Sequence, residues 1–127
     1  MTREVITTDA APPPAGTYSQ AIRTAGTLVF ISGQTPRASD GTRLGHAPFE
    51  QQARLALDNL AAIAKASGLS LRDAVKVDVF LRDLGTRAKF DAIYAEYVGS
   101  PPPARTLVQS NFTEFDVEVS AVLAECR

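Results

Sequence analysis

The sequence holds almost none of the side chains that form disulfides or zinc sites. Its 127 residues include one cysteine, Cys126, and one histidine, His46, so neither an intrachain disulfide nor a Cys/His ligand set is available. A Cys–His nucleophilic pair is also disfavoured, because His46 lies in a predicted loop and Cys126 lies beside the C-terminus. We expect no bound metal and no thiol chemistry.

Long apolar runs and an excess of positive charge are missing as well. No segment approaches the roughly 18 consecutive apolar residues of a membrane span, and the N-terminus lacks an apolar run of signal-peptide length. The formal net charge of −1 provides no basic field for nucleic acid. We therefore expect a cytoplasmic protein that binds neither membranes nor nucleic acids.

What is present is typical of one compact unit. Hydrophobic residues make up 45% of the chain and charged residues 21%, which are ordinary values for a globular protein. A chain of this length builds one core but not two. We predict a single domain over residues 1–127.

Hydrophobic periodicity predicts two helices and six strands. The helices cover 49–67, ending at Gly68, and 87–98. The predicted strands are 3–7, 18–24, 27–32, 74–82, the segment that begins at Arg105, and 116–124. Strand 27–32 is apolar on both faces, as in a central strand, and its expected partner is 18–24.

This order predicts an α+β fold, with one mixed sheet and two helices on one of its faces. The other face keeps apolar side chains, including Phe80 in the strand 74–82. A symmetric homo-oligomer is the simplest way to cover such a face.

Three prolines, at 101–103, come just before Arg105, the main candidate for a binding residue. Prolines fix φ and remove backbone donors, so this segment must be extended and a strand follows from Arg105. An arginine at the rim of a strand can bind a planar carboxylate through two parallel hydrogen bonds. Spacing alone, however, favours the simpler interpretation of a surface ion pair.

Seven stretches in order resemble the RidA/YjgF family of enamine and imine deaminases. They are GTYSQ at 16–20, ISGQTP at 31–36, QARLALDNL at 52–60, VDVFLRDL at 77–84, YAEY at 94–97, PART at 103–106 and VEVSA at 117–121. Any one of them occurs by chance, but all seven in order span nearly the whole chain.

The resemblance implies a chorismate-mutase-like fold, a homotrimer and clefts between neighbouring subunits. It implies hydrolysis of 2-imino acids or their enamine tautomers, such as 2-aminoacrylate, to 2-keto acids and ammonia, with no metal or organic cofactor. Arg105 falls on the family's carboxylate-binding arginine and Glu118 on its water-activating glutamate. Tyr18 and Ser32 fall on its cleft tyrosine and cleft serine.

The residues taken alone leave other roles open for the same side chains. Without the family, the favoured interpretation of Glu118 is a solvated strand carboxylate or a structural partner of Arg105. Tyr18 either closes over a substrate or packs at an interface, and Ser32 either binds substrate or caps a strand end.

Three positions depart from the family pattern. Leu107 stands where many of these deaminases carry a cysteine, which makes the floor of the predicted pocket more apolar. Asp91 occupies a position that is often asparagine, and it adds a negative charge either near the site or only at the following turn. Ser120 replaces a second glutamate. Together with Arg105 and Ser32, which the resemblance places in the cleft, Leu107 and Asp91 are the residues that we predict to contact the substrate.

Three other functions remain possible on this sequence. One is a pathway-specific deaminase that acts on a larger enamine, supported by Leu107 and by a loop between Arg105 and Glu118 that is a little shorter than is usual in the family. Another is a non-catalytic module that binds small carboxylates through Arg105. Ribonuclease activity, which some members of the family carry as a label, is disfavoured by the slightly acidic charge balance.

Overall fold

The structure of the protein is a computed structural model that describes residues 3–125. Its elements are β1 (Glu4–Ile6), β2 (Ala21–Arg23), β3 (Thr27–Gln34), α1 (Phe49–Ala66), β4 (Ala74–Leu81), α2 (Arg87–Val98), β5 (Ala104–Gln109) and β6 (Val117–Glu125). Every predicted helix and strand is present, with ends shifted by a few residues at most. Cys126, on which one of the expectations depends, lies outside the described residues.

Two sheets are formed instead of the single sheet that was predicted. β1 and β2 make a small antiparallel pair, and the main sheet has the order β3-β6-β4-β5, with only β4 and β5 parallel. The predicted pairing of 18–24 with 27–32 is therefore wrong. The turn at Gly26 lies so close to the end of β6 that a Cβ there would come 2.3 Å from the carbonyl oxygen of Glu125. After this turn β3 pairs with β6, whereas β2, before the turn, pairs with β1.

The helices cover one face of the main sheet. Helical periodicity predicts that Ala53, Ala56, Leu57, Leu60, Ala61 and Ala64 share one face of α1. All of them are buried except Ala61, which is partly buried, and α1 packs on β3 and β6. The helix ends at a glycine with positive φ: Gly68 has φ +85°, and the N–H groups of Gly68 and Leu69 donate to the carbonyls of Lys65 and Ala64. This pair of hydrogen bonds is the Schellman arrangement that a terminal glycine predicts.

The central strand β4 shows how the sheet is divided between core and open side. Val77, Val79 and Leu81 are buried in the core under the helices, as their alternation predicts, and Val75 is buried at the register shift between Ala74 and Lys76. The opposite side, called here the open face, keeps large apolar side chains in contact with solvent. Phe30 is 73% exposed, Leu28 44% and Val108 42%.

β3 is an edge strand of this sheet, so the prediction that it lies in the centre is wrong. Its two apolar sides have different surroundings: Ile31 is buried under α1, whereas Leu28 and Phe30 belong to the open face. The α+β architecture, with a mixed sheet and both helices on one face, is confirmed. None of the helices within residues 3–125 has the length and apolarity needed to cross a bilayer.

Candidate active site

Arg105 lies on the helix-covered face of the sheet, at its β5 edge. In the parallel pairing of β4 and β5 it stands opposite Val77, whose side chain is buried in the core. Only 4% of the Arg105 side chain is exposed, and its Nη1 donates to Oδ1 of Asp91 on α2. The interpretation of Arg105 as a surface arginine is therefore wrong, although the ion pair exists.

Two tyrosine rings enclose the guanidinium. Its central carbon lies 5.2 Å from the ring centre of Tyr94 and 5.5 Å from that of Tyr18. These distances are within the range of cation–π attraction. Arg105 is thus held by two aromatic faces and one carboxylate, which leaves little freedom for its side chain.

The proline segment positions Tyr18 as well as Arg105. Ser19 is buried, its hydroxyl donates to the carbonyl of Pro102 (2.5 Å), and its N–H donates to the carbonyl of Pro103 (3.1 Å). The Tyr18 hydroxyl accepts the N–H of Ala15 at 3.0 Å. The segment that carries Tyr18 is therefore anchored on the residues that lead into β5.

Asp91 joins three parts of the chain in one place. Besides its pairing with Arg105, its Oδ2 accepts the N–H of Thr17 at 3.1 Å. A Cβ at Gly16 would come 2.5 Å from this Oδ2 and 3.2 Å from Nη2 of Arg105, so the segment approaches as closely as it does only because Gly16 has no side chain. Asp91 lies at the predicted site rather than at the following turn.

A cleft of about 620 Å³ opens beside these residues. It is lined by Ala15, Gly16, Tyr18, Arg87, Ala88, Asp91, Arg105 and Leu107, and this set is called the arginine cleft. Leu107 gives it an apolar wall, as predicted. Arg87, at the start of α2, is exposed and adds a second cation.

Tyr94 is neutral and structural in this arrangement. Its side chain is fully buried, and its hydroxyl has no hydrogen-bond partner in the described part of the chain. Burial raises the pKa of Tyr94 well above its usual range, and the negative charge of Asp91 adds to this while Arg105 opposes it. The ring also stacks on Phe90, with 5.5 Å between ring centres.

Glu118 lies on the open face and is not in the arginine cleft. It pairs across the sheet with Phe80, whereas Arg105 pairs with Val77. Because Val77 and Phe80 are three residues apart on β4, their side chains point to opposite faces. The same therefore holds for Arg105 and Glu118, and the interpretation of Glu118 as the structural partner of Arg105 is wrong.

The Glu118 carboxylate packs against the backbone of β3 at Gly33, in the space that a side chain would otherwise fill. A Cβ at Gly33 would come 2.0 Å from Oε2 of Glu118. Ser32, the preceding residue, is exposed, and the register between β3 and β6 shifts between Ile31 and Gln34. Ser32, Gly33 and Glu118 are called the glutamate patch. Within residues 3–125, Glu118 forms no ion pair.

The structure thus divides the predicted site residues into two groups. Tyr18, Asp91, Arg105 and Leu107 meet in the arginine cleft. Glu118 lies in the glutamate patch against Gly33, the residue that follows Ser32 in the chain. The sequence interpretation missed Arg87 in the lining of the cleft, and it missed Ser19 and Tyr94, which hold Tyr18 and Arg105 in place behind it. Tyr94 had a signal in the inner stripe of α2, but nothing in the spacing of Arg87 indicated a role. Among the described residues no three His, Cys, Asp or Glu side chains come together as a metal site requires.

The chain is similar to known proteins over nearly its whole length. The model of the Endoribonuclease L-PSP family, also called RidA/YjgF, matches residues 8–125. The chain belongs to the RidA/YjgF family. A RutC family protein of Pyrococcus horikoshii is 42% identical over 122 residues, covering 94% of this chain and 96% of that protein.

Two further relatives extend the comparison within the RidA/YjgF family. A protein of Dermatophagoides farinae named 2-iminobutanoate/2-iminopropanoate deaminase is 34% identical, covering 84% of this chain and 82% of its own. The solved structure of RidA from an Antarctic Psychrobacter is 36% identical, with a TM-score of 0.72 over 96% of this chain and 99% of that one. The RidA/YjgF fold expected from the sequence is confirmed.

Proposed function

We propose that this protein hydrolyses small 2-imino acids and their enamine tautomers to 2-keto acids and ammonia, at sites formed between the subunits of a homotrimer. The observation that carries the proposal is the buried, firmly held Arg105 at the side of a cleft. The relative named as a 2-iminobutanoate/2-iminopropanoate deaminase supports the choice of substrate.

Arg105 is the group that binds the substrate carboxylate. A guanidinium has five N–H donors, and the Arg105 side chain uses only Nη1 for a hydrogen bond within residues 3–125. Nη2 lies next to Gly16, where no side chain blocks access from the cleft. A carboxylate bound to the remaining donors has a fixed orientation, which places the imine carbon at a defined point.

Glu118 is the group that activates water. Its carboxylate is partly exposed on the open face and carries no ion pair in the described part of the chain, so it is available as a base. It takes a proton from water as the water oxygen bonds to the imine carbon. The electron pair of the C=N double bond moves to nitrogen, and Glu118 passes the proton to this nitrogen. Glu118 then accepts the proton of the new hydroxyl group as the C=O bond forms and the C–N bond breaks, so that a 2-keto acid and ammonia are left, and ammonia takes up the last proton as ammonium.

A single protomer does not bring these two groups together, because they occupy opposite faces of the sheet. A second copy that packs its open face near the β5 edge would bring its own glutamate patch to the arginine cleft. The exposed apolar side chains of Leu28, Phe30 and Val108 favour such a contact, since burial of this surface stabilises the assembly. This is why we propose a site between subunits.

The test is an imine hydrolysis assay. The imines of alanine and 2-aminobutyrate are generated by an amino-acid oxidase with catalase present, and semicarbazide traps the imine that escapes hydrolysis. We expect the wild-type protein to suppress trapping, and Arg105→Ala and Glu118→Gln to lose this effect. The matched controls Arg43→Ala and Glu114→Gln, two exposed residues away from both surfaces, should retain it.

A non-catalytic carboxylate-binding role is the second candidate, and the separation of Glu118 from Arg105 within a protomer is the observation that favours it. This role predicts binding of 2-ketobutyrate that Arg105→Ala abolishes and Glu118→Gln leaves unchanged, without any turnover. Finding that pattern in calorimetry and in the trapping assay would replace the enzymatic proposal.

A further inference from the structure

Arg87 adds a positive charge to the arginine cleft, separate from the ion pair between Arg105 and Asp91. It lines the same cleft as Arg105, it is exposed, and it forms no ion pair within residues 3–125. The first turn of α2 holds no acidic residue. The positive end of the helix dipole and the charge of Arg87 therefore act in the same direction there.

The charges of the cleft can be counted from its lining. Arg105 and Asp91 are in direct contact and cancel each other. Arg87 is then the one cation of this lining that has no counter-ion in the same lining. The Glu118 carboxylate of a second copy acts at the imine carbon, on the attacking water, so it does not serve as that counter-ion. A substrate with one carboxylate, held at Arg105, leaves Arg87 without an anion, whereas a second carboxylate supplies one.

The spacing of Arg87 and Asp91 along α2 also leaves room for a longer acid. Arg87 lies one helical turn before Asp91, which corresponds to about 6 Å along the axis of α2. Asp91 in turn contacts Arg105. A chain of four carbon–carbon bonds of about 1.5 Å each spans a distance of the same order. A three-carbon acid held at Arg105 leaves the Arg87 end of the cleft empty.

We infer that the preferred substrates are 2-imino dicarboxylates, with the 1-carboxylate bound by Arg105 and the distal carboxylate bound by Arg87. The inference rests on the proposed function and names the substrate class of that same site. The reaction is unchanged: water forms the C–O bond at the imine carbon, the C–N bond breaks, and a 2-keto dicarboxylate and ammonium are released. Arg87 acts in specificity and has no part in the bond changes.

The experiment compares imines that have one and two carboxylates. The imines of glutamate and of 2-aminobutyrate are generated by matching oxidases, and kcat/KM for each is obtained from the trapping assay. The quantity measured is the ratio of the two kcat/KM values. We expect wild-type protein to favour the dicarboxylate and Arg87→Gln to lower the ratio about tenfold, the size of effect expected for the loss of one charge-assisted contact.

Two further variants make the result specific to this side chain. Arg87→Lys keeps the charge and should retain most of the preference. Lys89→Gln removes a cation from the same helix but outside the cleft lining, and should leave the ratio as it is. Calorimetry with 2-ketoglutarate and 2-ketobutyrate gives the same comparison for binding alone, with the same expected order.

The outcomes distinguish this inference from the proposed function. A wild-type protein that hydrolyses monocarboxylate imines while its ratio is insensitive to Arg87→Gln overturns the inference and leaves the proposed function standing. An equal loss of kcat/KM for both substrates in Arg87→Gln also overturns it, because Arg87 would then attract any anionic substrate and would not bind a distal carboxylate. A wild-type protein that hydrolyses neither substrate overturns both.

Discussion

Arg105 and Glu118 project from opposite faces of the same four-stranded sheet. Arg105 pairs with Val77 on the helix-covered side, and Glu118 pairs with Phe80 on the open side. No side-chain rotation within one protomer brings two such groups to one small substrate. If both act on the same molecule, two copies of the chain must supply them.

Because Asp91 contacts Arg105, we predict that replacing Asp91 strengthens substrate binding, whereas most substitutions in a binding site weaken it. In Asp91→Asn the amide oxygen can still accept the N–H of Thr17, but the negative charge that competes with a substrate carboxylate is gone. We expect KM for monocarboxylate imines to fall about three- to tenfold, in line with one charged hydrogen bond. Steady-state kinetics checks this.

The same variant should lower stability, because a buried guanidinium loses its counter-ion. The expected cost is about 1–3 kcal/mol of unfolding free energy, measured by urea unfolding. Asp9→Asn, at an exposed position outside the cleft, serves as the control for both measurements. A rise in KM in Asp91→Asn would mean that Asp91 helps to bind the substrate instead of competing with it.

Tyr94 predicts a difference between two substitutions at one position. Tyr94→Phe removes a buried hydroxyl that has no partner in residues 3–125, so the unfolding free energy should stay within about 1 kcal/mol or rise. Tyr94→Leu also removes the ring beside Arg105 and should cost about 2 kcal/mol or more. Equal losses in both variants would show that the hydroxyl is satisfied in solution.

The raised pKa of Tyr94 gives stability a dependence on alkaline pH. Burial keeps the folded-state pKa above the unfolded value of about 10. The unfolded state then releases a proton that the folded state retains, so this contribution is complete below pH 10 and is lost as pH rises toward the folded pKa. We expect wild-type stability to fall more steeply above about pH 10 than that of Tyr94→Phe, in urea titrations at several pH values.

Gly33 predicts a loss of activity without a comparable loss of stability. A Cβ there would collide with the end of the Glu118 side chain, 2.0 Å away, and this flexible end can move aside. Gly33→Ala should reduce kcat/KM at least about tenfold, as expected when a catalytic base is displaced, and change the unfolding free energy by less than about 1 kcal/mol. In a Glu118→Gln background the same substitution should add little further loss. Additive losses would mean that Gly33 acts independently of Glu118.

The parts of the fold that local patterns decide could be predicted from the sequence. The alternation of Val77, Val79 and Leu81 on β4 and the alanine-rich stripe of α1 are buried as their periods indicate. The pairing of β2 could not be predicted, because it depends on β1 and on the distant β6 occupying the position beside β3.

The face on which Glu118 lies could be predicted from local alternation, but the face on which Arg105 lies could not, because it depends on pairing with a distant strand. On β6 the apolar residues Val117 and Val119 share one face, so Glu118 must lie on the other. On β5 both Leu107 and Val108 are apolar, and composition alone does not say which side is buried. Only the register with β4 places Leu107 and Arg105 toward the helices. A family motif names the residues of a site without stating which copies of the chain supply them.

Complementation between two inactive variants tests the site between subunits most directly. Arg105→Ala and Glu118→Gln are co-expressed with different tags, and mixed oligomers carrying both tags are purified and assayed for imine hydrolysis. If Arg105 and Glu118 act from different copies, one of the three sites in every mixed trimer receives an intact residue from each partner, so the purified mixed trimers should show about a third of the wild-type activity. If mixed oligomers form and remain as inactive as either variant alone, the account is contradicted.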